Sequence, residues 1–128
     1  MTHCTPAQSL ALKEIGFDKP VKDYIYTGDT GNNINRYFHT LKADNHNADP
    51  LCISQPTPYE VLQWAREKKG LHGWVEPFVT HLFNRWTYCI TIKNVGLTAL
   101  GSAIYPTHPE AESALIDKLI TILEKQKT

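Results

Sequence analysis

The chain has 128 residues, and its thirteen Lys and Arg balance thirteen Asp and Glu, so the formal net charge at pH 7 is zero. That balance argues against the broad positive field of a general nucleic-acid or anionic-membrane binder. A hydrophobic content of 41% with 20% charged residues argues against wholesale disorder and for one globular domain, residues 1–128.

Taken in order, Thr5, Pro6 and Gln8 carry a capping signal for a first helix. Leu10, Ala11, Leu12 and Ile15 are expected to form its sticky face, Gly16 its stop and Phe17 an anchor just beyond. Lys22 to Thr27 and Ile34 to Leu41 favour strands, and GDTGNN between them (residues 28–33) is turn chemistry, so a hairpin is expected. GDTGNN lacks the lysine and the strand-loop-helix setting of a phosphate-binding loop. Lys42 to Gln55 shows no period and reads as a surface loop.

Thr57, Pro58 and Glu60 open the best-specified helix, with Val61, Leu62 and Ala65 as its apolar stripe, Trp64 on the flank and Gly70 as the stop. Trp74 to His81 reads as a strand that Pro77 confines to a sheet edge or a bulge. In the strand Arg85 to Lys93, Trp86, Tyr88, Ile90 and Ile92 are expected to face the core. Leu97 to Tyr105 is a third strand. Thr107 then caps a last helix that buries Ala111, Leu115, Ile116, Leu119, Ile122 and Leu123. The expected fold is α+β, order α-β-β-α-β-β-β-α, an antiparallel sheet with helices on one face. Residues 1–55 form its helix, hairpin and loop, and residues 56–128 an α-β-β-β-α unit.

From Thr57 onward, this order and spacing, extending to GLTALGSAIY before the last helix, resembles the double-stranded-RNA-binding domain. The family's contact motifs do not match: His81-Leu-Phe-Asn84 stands where its Gly-Pro-x-His turn would be, and Glu110 and Glu112 where lysines would grip phosphate. The resemblance implies the fold and no RNA-contacting residue. The whole chain also resembles a group of small uncharacterised proteins of gut-bacterial genomes and their phages, through ALKEIGF, WAREKKGL and EAESALIDKLITILEKQK. That likeness implies a phage or mobile-element derivation and no activity.

The densest set of metal-ligand types is His39, Asp44, His46, Asp49 and Cys52, but their spacing fits no zinc template and loop composition explains them. Cys89 with His39 or His81 could make a nucleophile, against the commoner reading of a buried, unreactive thiol. Cys4, Cys52 and Cys89 are odd in number and widely spaced, and no basic, apolar leader opens the chain; free thiols and a cytoplasmic setting are expected. No catalytic, metal-binding or cofactor-binding residue is assigned, and no cofactor or membrane is expected.

Tyr24, Tyr26, Tyr37 and Phe38 are more rings than a two-stranded hairpin can cover, so they are the candidate interaction surface. The sequence therefore points to a non-enzymatic protein–protein interaction module whose partner is another protein or a second copy. The alternative is a nucleic-acid-binding module on a degenerate double-stranded-RNA-binding scaffold, with Lys68, Lys69, Arg85 and Lys93 as its basic patch.

Overall fold

A computed structural model gives the structure and describes residues 3–27, 36–79, 84–93, 96–100 and 103–127. The fold is α+β. The described residues form two antiparallel sheets, where the sequence suggested one, and the chain divides into two compact units, Met1–Glu60 and Val61–Thr128.

In the first unit, α1 (Pro6–Glu14) begins as its sequence requires. The Gln8 amide donates to Thr5 Oγ1 (3.1 Å) and the Thr5 amide to Gln8 Oε1 (3.0 Å), which satisfies two amides that the helix itself leaves open. At the other end Gly16 takes φ of 95°. The Phe17 amide reaches back to the Leu12 carbonyl and the Gly16 amide to that of Lys13, a Schellman ending. Phe17 is buried as expected, but the inward face is Gln8, Ser9 and Leu12, while Leu10 is 45% exposed. A nine-residue helix is too short for its apolar period to select a face, and docking selected Leu12.

Strands β1 (Val21–Tyr26), β2 (Arg36–Asp44) and β3 (Cys52–Ser54) form a sheet in the order β2-β1-β3. The expected turn at residues 28–33 lies outside the described residues. Residues 42–55 are not a plain loop. Strand β2 runs on to Asp44, a 3-10 turn covers His46–Ala48, and β3 pairs with β1 through Tyr24↔Ser54, Ile25↔Ile53 and Tyr26↔Cys52. Across β1 and β2 the register jumps from Asp23↔His39 to Val21↔Asp44, so Thr40 to Ala43 bulge opposite Lys22 alone. Helix α1 packs against β3, and the Lys13 ammonium in its last turn donates to the carbonyls of Cys52 (2.6 Å), Asp49 (3.0 Å) and Pro50 (3.4 Å). Leu12, Phe17, Val21 and Ile25 are buried core.

Helix α2 (Pro58–Lys69) opens with its capping box made: the Thr57 amide donates to Glu60 Oε1 (2.9 Å) and the Glu60 amide to Thr57 Oγ1 (3.3 Å). Val61, Trp64 and Ala65 are buried and Leu62 is half-buried, so Trp64 belongs to the stripe itself. Gly70 ends the helix at φ of 67°.

Strands β4 (Leu71–Val79), β5 (Asn84–Ile92) and β6 (Gly96–Leu100) make the second sheet in the order β4-β5-β6. Strand β4 is an edge, which is where Pro77 is tolerated. Beyond β6, Tyr105 forms a bridge with Trp86 through two backbone hydrogen bonds of 2.9 and 2.8 Å. Tyr88 and Ile90 are buried on the predicted face; Trp86 and Ile92 are half-buried, and Cys89 on the opposite face is buried as well. Helix α3 (His108–Lys127) packs against β4 and β5 and buries Ala111, Leu115, Ile116, Leu119, Ile120 and Leu123. Ile120 takes the place expected for Ile122, which is half-buried. Both helices reach one face of this sheet at Gly73, where a Cβ would meet side-chain atoms of Leu115 and Leu62. Among the described residues, no helix is long and apolar enough to cross a membrane.

Candidate functional site

The hairpin separates the four rings of the predicted interaction surface. Direct pairing places Tyr24 opposite Phe38 on one face, with Tyr26 two residues along, whereas Tyr37 pairs with Ile25 on the other face. Tyr24 lies stacked between two neighbours, Phe38 at 5.3 Å and His46 at 4.3 Å, and Tyr26 meets Phe38 edge to face at 6.5 Å. These contacts leave Tyr24 and Tyr26 half-buried. What remains outward on β2 is Phe38 (42% exposed), Tyr37 (58%) and Leu41 (95%). Strand β2 is also the sheet edge, so one side of its backbone has no strand partner among the described residues.

On the Tyr37 side of the same hairpin, the pairing Asp23↔His39 creates an arrangement that no local motif announces. His39 Nδ1 lies 2.8 Å from Asp23 Oδ1, and His3 Nε2, arriving from the segment before α1, lies 2.9 Å from Asp23 Oδ2. Burial pushes the Asp23 carboxyl up, but the hydrogen bonds from His39 and His3, with their charge, outweigh it and bring its pKa below the ordinary 3.8. An ionised carboxylate only accepts, so each facing imidazole nitrogen carries a proton. Among the described residues, that leaves His39 Nε2 and His3 Nδ1 as the chemically open nitrogens.

The three side chains line a cavity of about 530 Å³ within the first unit, a size usual for small-ligand sites. Lys22, Thr57, Tyr59 and Glu60 complete its polar wall and Ala43 of the bulge an apolar one. Thr57 Oγ1 donates to Glu60 Oε1 at 3.1 Å, so both are engaged with each other.

The five residues of metal-ligand type, His39, Asp44, His46, Asp49 and Cys52, each have partners of their own or lie buried. His39 is held by Asp23, and His46 Nε2 donates to the Val21 carbonyl at 3.0 Å. Asp44 accepts from the Asn45 amide and Asp49 from that of Leu51. Cys52 is buried, and its thiol pKa is raised by burial and by Asp49. Among the described residues, no three His, Cys, Asp or Glu side chains form a metal-holding set.

Cys89 points its thiol at Glu76 Oε1, 2.7 Å away, and burial together with this carboxylate pushes its pKa up to about 11. That suppresses the thiolate a nucleophile needs. His81 lies outside the described residues. Of the basic set, Lys68, Lys69 and Lys93 are exposed and Arg85 is half-buried. The Lys69 ammonium sits 5.5 Å from the Trp64 ring centroid, and the Lys93 amide donates to the Gly70 carbonyl. Arg85 stands eight residues along β5 from Lys93, about 27 Å at strand rise. Compared with known proteins, the chain matches no family model, no curated protein and no solved structure.

Proposed function

We propose that the protein is an interaction module that presents β2 to a second polypeptide. One observation carries the reading: on an edge strand, Leu41 is 95% exposed, and Phe38 and Tyr37, three and four residues before it, leave 42% and 58% of their surface open, a costly arrangement for a strand without a partner. A second copy is the first partner to test, because zero net charge removes the repulsion that keeps many proteins apart. Sedimentation equilibrium should give a reversible dimer that Leu41→Asp weakens about tenfold or more, with circular dichroism unchanged. A wild-type chain that stays monomeric at its highest soluble concentration, and captures no protein that Leu41→Asp fails to capture, would remove this reading.

A nucleic-acid-binding module is the second reading, supported by Lys69 and Lys93 flanking Gly70 at one end of the second sheet. The distance to Arg85 and the exposed Glu110 at the start of α3 weigh against a continuous phosphate track. Duplex affinity that falls steeply with added salt and drops in Lys93→Ala would favour it over the first.

A further inference from the structure

We infer that the His3–Asp23–His39 cavity is an acid–base site whose substrate is single-stranded RNA, cleaved by attack of its own 2′-hydroxyl. The inference does not rest on β2 docking a second polypeptide, although His39 and Ala43 of β2 line the cavity. It starts from what the wall offers: two imidazoles oriented by one carboxylate, each with a nitrogen left open, and an exposed lysine, Lys22. Among the described residues the wall contains no serine or cysteine, and the Thr57 hydroxyl donates to Glu60. A wall whose described residues offer an acid, a base and a cation, but no free nucleophile of these kinds, suits a substrate that carries its nucleophile within itself. An RNA phosphodiester does so.

The step balances without any further reactant. His39 Nε2, neutral, takes the proton of the 2′-hydroxyl, and that oxygen attacks the adjacent phosphorus. The bond from phosphorus to the 5′-oxygen breaks, and His3 Nδ1, protonated, gives its proton to that oxygen. The products are a 2′,3′-cyclic phosphate and a 5′-hydroxyl end; proton exchange with water then resets the two rings. Lys22, a lining residue, supplies the positive charge that would offset charge gathering on the phosphoryl oxygens. Tyr59, 68% exposed on the same wall, offers a ring on which a base can stack. Asp23 is a positioning residue: it fixes both tautomers and touches no substrate atom.

The test uses the full chain with an end-labelled single-stranded RNA oligonucleotide and its all-2′-deoxy counterpart. The expected result is cleavage of the RNA alone, with 2′,3′-cyclic phosphate ends and a bell-shaped pH profile. His39→Gln and His3→Gln keep an amide donor for Asp23 but cannot exchange a proton; each should lose about 10²–10⁴-fold in rate. Asp23→Asn accepts from only one ring through its single amide oxygen, so it should slow the reaction and displace one limb of the pH profile. Glu124→Gln, exposed on α3 in the second unit, should cleave normally. Absence of cleavage at every pH, a rate unchanged in the His3→Gln, His39→Gln double variant, or equal cutting of the deoxy strand would each overturn the assignment.

Discussion

A methyl group on Gly73 would stand 3.0 Å from Cδ1 of Leu115, closer than packed side chains normally tolerate. Gly73 lies in β4 directly opposite Ile90, and α3 brings fully buried Leu115 down onto that pair. The empty Cβ position is therefore what lets the helix approach the sheet. Gly73 is not held at positive φ, so substitution there adds no strain of that kind to the packing change. Gly73→Val should cost about 1–3 kcal/mol, and Gly73→Ala less, since a single methyl needs only a small shift of Leu115. Urea denaturation checks this, with an unchanged slope showing that only stability moved.

The Asp23 clamp gives acid sensitivity a direction. Its folded pKa is lowered, so its contribution is present above the ordinary carboxylate value of 3.8 and is lost as pH falls through the lower folded value. The wild type should therefore lose melting temperature below about pH 4 more steeply than Asp23→Asn. Parallel acid limbs in thermal melts of the two proteins would show that the clamp contributes nothing to folding.

Cys89 behaves in the opposite sense. Its pKa is raised from 9.0 to about 11, so the contribution of the protonated thiol is complete below pH 9 and is lost as pH rises toward 11. At pH 8 roughly one thiol in a thousand is ionised at such a pKa. Iodoacetamide should modify Cys89 far more slowly in the folded protein than in urea, and Glu76→Gln should speed the reaction by removing the carboxylate. Mass spectrometry of timed samples reads both.

Local chemistry made the helices legible. Thr5 with Gln8 and Thr57 with Glu60 state their caps within four residues, and Gly16 and Gly70 state their stops, because those groups satisfy one another without help from elsewhere. Pro77 narrowed its strand to a sheet edge or a bulge for the same reason, since the missing amide is a property of the residue, and the fold takes the edge. Strand β3 was hidden, since three residues cannot display a period and its partners in β1 lie 26 to 30 positions away. The His3–Asp23–His39 grouping was hidden more deeply, with separations of 20 and 16 residues. Its one available signal was the strand-forming character of both segments, which allowed Asp23 and His39 to pair but did not set their register. His46 was read for its nitrogen chemistry, whereas in the fold its ring also stacks on Tyr24.

The bulge in β2 has an evolutionary corollary. Four residues, Thr40 to Ala43, stand opposite Lys22 alone, and the Thr40 hydroxyl, 3.0 Å from the Lys22 carbonyl and 2.8 Å from that of Lys42, stitches the excess loosely to β1. Such slack separates the alignment of Arg36 to His39 from the length of chain leading to the 3-10 turn. A residue gained or lost within the bulge would change its outline without shifting Asp23 from His39. Descendants of this sequence can therefore vary in length at one wall of the cavity while the carboxylate and its imidazole stay aligned.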